Sequence, residues 1–481
     1  MNFRAVSYVL GKIFIIVGAL MLIPITVSFY YSENQTVSFL VPAALMLFIG
    51  ILLEIKKPKN TGIYAKEGLF ICGLSWIIMS AFGALPFLIS GAVPHYFDAF
   101  FETCSGFSTT GATIITEIEA LPKSILFWRS FTHWIGGMGI LSFMIAIIPK
   151  SESHSMFIMK AEVPGPKAGK VVSKIQNSTR ILYVIYCSLT IIETFVLFFF
   201  TKMRFFDAVT TAFSTAGTGG FAVKNASILA YNSPAIEWIL IVFMFLFGVN
   251  FNLYFFVLIR KFSSAFKDEE FWTYVSLNII SVVLITLNIA GTYENIADAI
   301  RDAAFNVNAI MSTTGFCTVD FNTWNTFSKI LLVCLMFVGG SVGSTGGGMK
   351  VTRIMLYFKE MHADIKKALN PNSVTKIRMN GNVVEKKVIT GINSYLVIYL
   401  GILMVSMLLI SINGFDTPTT VTSVISCLNN VGPGLEMIGP TGNYADFSIL
   451  SKIVFCFDML AGRLELFPIL VLFAPRTYKI K

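Results

Sequence analysis

The chain has 481 residues, of which 55% are hydrophobic and only 13% charged, and its mean hydropathy is +0.73. A soluble domain carries about 25% charged residues, so a soluble enzyme is excluded, and so is disorder in a chain this rich in apolar side chains. The net charge of +9 points to nucleic acid only if the basic residues cluster for it, and their placement decides otherwise.

Crossing ~30 Å of hydrocarbon takes about 20 apolar residues. The first such run, 13–32, is too long for a signal-peptide core and no small-residue cleavage site follows it, so with 34–53 it predicts a transmembrane hairpin. Uncharged runs follow at 68–97, 130–149, 238–259, 271–293, 330–349 and 388–415. Two more carry charges: 181–201 holds Glu193, and 447–475 holds Lys452, Asp458, Arg463 and Glu465. The total is ten spans. With both termini and every second loop cytoplasmic, that side holds 27 of the 36 Lys and Arg, which accounts for the basic charge through membrane orientation and leaves no nucleic-acid motif to explain. Ser173 and residues 357–387 then lie inside, and 117–122 outside. The seven cysteines form no CxxC, and the four histidines (His95, His133, His154, His362) are scattered, so neither a disulfide framework nor a metal site is expected.

Between paired spans lie stretches too apolar for ordinary loops and too short to cross. They read as re-entrant segments, a short helix followed by an extended return, which survive at membrane depth only when buried or lining water. They share a register. Asp98, Asp207 and Asp302, each followed by Ala, precede Gly111, Gly220 and Gly315 by 13 residues, and in a fourth copy Thr419 precedes Gly432 by 13. The returns begin Thr109-Thr110-Gly111, Thr218-Gly219-Gly220, Thr313-Thr314-Gly315 and Asn430-Val431-Gly432. The predicted fold is therefore an all-α membrane protein: a hairpin (1–60) and four parallel helix–pore loop–helix repeats (61–150, 175–265, 268–368, 384–481) around one pore. Parallel repeats argue against inverted-repeat transporters.

A dehydrated cation needs oxygens in place of water, and rings of backbone carbonyls supply them. Carbonyls line up inward only where some residue adopts backbone angles that glycine takes at little cost. The twelve return residues are thus the candidate cation filter. Below them, Gly339-Gly340-Ser341-Val342-Gly343-Ser344-Thr345-Gly346-Gly347-Gly348 breaks a span. This stretch serves either as a helix-packing face or as an irregular segment lining the pore. Arg463, mid-span, costs roughly 2.5–3.5 kcal/mol to insert and must face a cavity or a partner. Its offsets from Asp458 and Glu465 do not match one helical face, leaving it either aimed at the pathway or in a buried ion pair. Arg129 is expected to snorkel or to anchor the pore, and Glu193 to be structural.

The motifs Ser105-Gly-Phe-Ser-Thr-Thr-Gly-Ala-Thr113, Trp134-Ile-Gly-Gly-Met-Gly-Ile140, Gly343-Ser-Thr-Gly-Gly-Gly-Met-Lys350, Asn429-Asn-Val-Gly-Pro-Gly434 and Gly462-Arg463-Leu464-Glu465 resemble the Trk/Ktr/HKT superfamily of potassium transporters, and the TrkH-type subunit in particular, over nearly the whole chain. Repeat four departs from it with Asn430-Val431 in place of Thr-Thr. The resemblance implies K+ as the transported ion, a filter at the twelve residues, and an intramembrane gating loop with Gly343, Gly346, Gly347, Gly348, Lys350 and Arg463. It also implies a homodimer in the bacterial inner membrane and a cytoplasmic, nucleotide-binding TrkA-like partner. No enzymatic chemistry and no organic cofactor are expected. Membrane lipid is the other partner, and a sodium-permeable or ion-coupled (symport) relative is the alternative.

Overall fold

The computed structural model describes residues 1–55, 58, 64–139, 175–373 and 375–478; the basic segment around Ser173 falls outside these residues. In lipid every backbone N–H and C=O must be satisfied internally, so the apolar runs become helices. The N-terminal hairpin consists of Phe3–Leu20, continued by Ile23–Tyr30, and the returning Thr36–Glu54. Its first helix starts before residue 13 because charge does not stop it: Lys12 lays its ammonium 4.5 Å from the ring centre of Tyr8. The two arms pack through glycine, since a Cβ on Gly50 would lie 2.7 Å from Ile15 and 2.8 Å from the Gly11 carbonyl.

Each repeat then contributes an outer helix, a pore helix and an inner helix. The outer helices are Ala65–Gly83, Ile175–Phe200, Glu269–Ile289 and Lys386–Ser411. The pore helices are Tyr96–Phe107, Phe205–Gly217, Ile296–Met311 and Thr417–Asn429. Asp98, Asp207 and Asp298 sit in the first turns of three pore helices and Asp416 caps the fourth, where negative charge suits the helix dipole. Among the described residues six helices are long and apolar enough to cross a membrane unbroken, and they are the hairpin arms and the four outer helices.

The inner helices are shorter: Lys123–Met138, Pro234–Gly248, Thr326–Val338 and Ile449–Arg463. The sequence placed a break only in the third. Among the described residues the second and the fourth are interrupted as well. The first is described as far as Gly139 (φ +78°), and the second turns by 90° into Phe251–Leu258. The third ends at Gly339 (φ +70°), and the fourth ends through left-handed Glu465 and Leu466 before Phe467–Phe473. After the third break the chain forms the amphipathic helix Val351–Leu369 and a small hairpin pairing Arg378 with Val383 across Asn380-Gly381, both left-handed as a tight two-residue turn requires.

Candidate ion-conducting site

Each pore helix ends on a left-handed residue: Thr109 (φ +56°), Thr218 (+55°), Thr313 (+61°) and Asn430 (+56°). Two residues later each return bends again at a glycine: Gly111 (+81°), Gly220 (+75°), Gly315 (+76°) and Gly432 (+99°). The residues between them are tied back to their own helices, with Thr110, Gly219 and Val431 donating N–H to the Ser105, Ser214 and Ser426 carbonyls at 2.8–2.9 Å.

The glycines also meet one another's repeats in cyclic order. A Cβ on Gly111 would lie 2.0 Å from the Gly219 carbonyl oxygen, one on Gly220 2.1 Å from that of Thr314, one on Gly315 2.0 Å from that of Val431, and one on Gly432 2.6 Å from that of Thr110. The contacts run from each repeat to the next and from the last back to the first. The carbonyls of Thr110, Gly219, Thr314 and Val431 therefore stand side by side in a closed ring that admits no side chain. All twelve residues proposed for the filter meet here.

Glu102 and Arg129 hold the returns from behind. Fully buried, Glu102 accepts from Thr113 Oγ1 (3.0 and 3.1 Å), the Ile114 amide (3.0 Å) and Arg129 Nε (2.7 Å). Arg129 also donates to the Ala222 carbonyl (3.0 Å) and lies 4.0 Å from the Phe221 ring centre. It anchors the pore and does not snorkel. Glu102 is not legible from local spacing, because the two residues belong to different helices. Removing one member of a buried ion pair costs about 3–5 kcal/mol. Glu102→Ala should therefore lower the melting temperature of the purified protein sharply and Glu102→Gln less so; equal melting curves would show the pair to be dispensable. At the outer rim Lys224 bonds Glu119 at 2.9 Å, joining repeats one and two and holding the Glu119 carboxyl below its usual value.

Beneath the ring, residues 339–350 fold into an irregular loop. It satisfies the break in repeat two: Ser341 and Thr345 donate to the Gly248 and Phe247 carbonyls (2.9 and 3.4 Å), and Phe251 donates to the Gly343 carbonyl (3.1 Å). It also touches the filter, with the Gly347 amide on Thr313 Oγ1 (2.6 Å) and the Gly348 amide on the Asn429 carbonyl (3.0 Å). Lys350 turns back onto the Gly346 carbonyl. Arg463 gives one nitrogen to the Thr345 carbonyl (2.6 Å) and the other to Gly136 and Gly137 (2.7 and 2.6 Å). Its guanidinium thus joins the loop to the end of the first inner helix, while Glu465 takes Arg353 and Asp458 takes the Ser406 hydroxyl (2.8 Å). Glu193 is buried on the second outer helix. The six residues proposed for gating come together on this floor.

Residues 36–479 match the TrkH family model, described as cation transport protein. The chain is 35% identical to the Trk system potassium uptake protein TrkH of Escherichia coli K12 and 34% identical to that of Salmonella typhimurium, in each case over the full length of both chains. The crystal structure of the potassium transporter TrkH from Vibrio parahaemolyticus superposes with a TM-score of 0.89 at 31% identity, covering both chains completely. With the hairpin, the four repeats and the carbonyl ring in one molecule, this multi-pass membrane chain belongs to the TrkH family of cation transporters.

Proposed function

We propose that the protein takes up potassium through a channel-like pore whose filter is the ring of Thr110, Gly219, Thr314 and Val431 carbonyls, with Thr109, Thr218, Thr313 and Asn430 below it and the four glycines shaping it. The observation that carries the reading is the closed cycle of glycine-to-carbonyl contacts. Four oxygens at one level, fixed by their neighbours, replace ion hydration without reorganising as the ion passes. The C-terminal ends of four pore helices add partial negative charge toward the same place. The full-length TrkH relatives give the choice of potassium its support. The test is flux from purified protein in liposomes with K+ and Na+ compared; Na+ entering as fast as K+ overturns the reading.

The floor loop with Lys350 and Arg463 is the gate in this proposal. A cytoplasmic nucleotide-binding subunit acts on it through Val351–Leu369, whose last turn carries Lys366 and Lys367. The chain works as a homodimer in the inner membrane with both termini inside. Orientation has its own test. A cysteine replacing Asn382 should be labelled only after the cells are opened, and one replacing Glu117 in intact cells; the reverse pattern overturns the topology.

A further inference from the structure

The four filter strands are braced differently, and the second is the odd one. In repeat one the hydroxyls of Ser108 and Thr110, on either side of left-handed Thr109, are hydrogen-bonded at 2.8 Å. In repeat three Ser312 and Thr314 do the same at 2.7 Å. In repeat four Asn429 bonds the Tyr399 hydroxyl at 2.8 Å. At the matching places in repeat two stand Gly217 and Gly219, with no side chain at all.

The space is nevertheless filled. A Cβ on Gly219 would lie 2.1, 2.4 and 2.5 Å from Nδ1, Cγ and Cε1 of His133, and one on Gly217 would lie 2.3 Å from the His133 carbonyl oxygen and 3.1 Å from its Cβ. His133 belongs to the inner helix of repeat one, is fully buried, and stacks on Phe221 with ring centres 4.2 Å apart. Phe221 is the residue after the filter glycine Gly220, and Arg129, one turn before His133, lies on the same ring. Neither imidazole nitrogen has a hydrogen-bond partner among the described residues. Hydrogen bonding does not account for a histidine at this position, whereas its shape does.

We propose that His133 is a positioning residue for selectivity, a side chain lent by repeat one to stand where repeat two lacks its own Ser–Thr brace, so that Gly217, Gly219 and His133 form one unit. This rests on the filter reading above. The ring sets the position of the Gly219 carbonyl, which in turn packs on Gly111, so a loose second strand disturbs the first as well.

Bi-ionic reversal potentials and melting curves of three variants test it. His133→Ala should lower the K+/Na+ permeability ratio by about tenfold, the equivalent of ~1.4 kcal/mol. Gly219→Thr with His133 in place should lose uptake, because the two side chains claim one volume. His133→Ala/Gly219→Thr, which refills from repeat two the volume that the imidazole leaves, should regain most of the ratio, a recovery that general loss of packing does not produce; Gly217 is left unchanged because a Cβ there would meet the main-chain carbonyl of residue 133. A folded His133→Ala protein with the parental ratio overturns the proposal, as does a double variant no more selective than His133→Ala. If His133→Ala does not fold, the double variant decides alone: folded and selective supports the unit, anything else overturns it. A parental protein without K+ preference instead refutes the filter reading, which keeps the two failures apart.

Discussion

Replacing Gly315 by serine is expected to reduce the K+/Na+ permeability ratio about ten- to hundredfold, equivalent to ~1.4–2.8 kcal/mol between the two ions. Two effects coincide at this residue. Its φ of +76° is one that a side chain tolerates poorly, and the new Cβ would stand 2.0 Å from the Val431 carbonyl oxygen and 2.8 Å from Pro433. The carbonyl must move, and it belongs to the ring. Gly111→Ser should act alike on repeat two through the Gly219 carbonyl. Gly291→Ser is the matched control, since nothing lies within 4 Å of a Cβ there. Reversal potentials under bi-ionic conditions give the readout, and a folded Gly315→Ser protein that matches the control removes the ring from the account of selectivity.

The second large effect is expected at Arg463. Hydrogen bonds from a charged donor contribute ~1.5–3 kcal/mol each, and this guanidinium makes three to the carbonyls of Thr345, Gly136 and Gly137. In the gate proposed above, Arg463→Ala releases the loop from the first repeat and also takes a fixed positive charge out of the cation's path. Flux without a cytoplasmic partner should rise about tenfold or more, because each ~1.4 kcal/mol lost from the docked state shifts its population tenfold. Shortening the chain between Gly343 and Gly347 should act in the same direction. A purely structural Arg463 gives the opposite result, lower flux with a lower melting temperature. Parental flux in both folded variants rules the loop out as the gate.

Much of this architecture is legible in the sequence, because it repeats. The interval from Asp98, Asp207, Asp302 and Thr419 to their glycines is a local spacing, and four copies of it reveal a pore. The broken inner helices are not legible in the same way. Hydropathy along 238–259 shows no interruption, since a single Gly248-Val249-Asn250 carries no proline and little charge. What permits the bend is the loop of repeat three, about ninety residues away, which bonds the freed carbonyls. Glu102–Arg129 and Gly219–His133 escape notice for the same reason: each joins helices whose proximity only the fold creates. His133 looked like one of four scattered histidines, and the one available signal was that Gly219 stands where its counterparts are Thr110, Thr314 and Val431.

The way the breaks are healed has a consequence for biosynthesis. The Phe247 and Gly248 carbonyls at the bend of the second inner helix wait for the amides of Thr345 and Ser341. A nascent chain enters the bilayer from the N-terminus, so these carbonyls stay unsatisfied at membrane depth until repeat three arrives, and such groups are costly in lipid. The half-made protein must either keep that segment out of the hydrocarbon or admit water to it. Arrival of the repeat-three loop, more than insertion of repeat two itself, is then the step that commits the second repeat to its final shape, and a chain ending before Gly339 should be cleared by quality-control proteases instead of accumulating as a stable fragment.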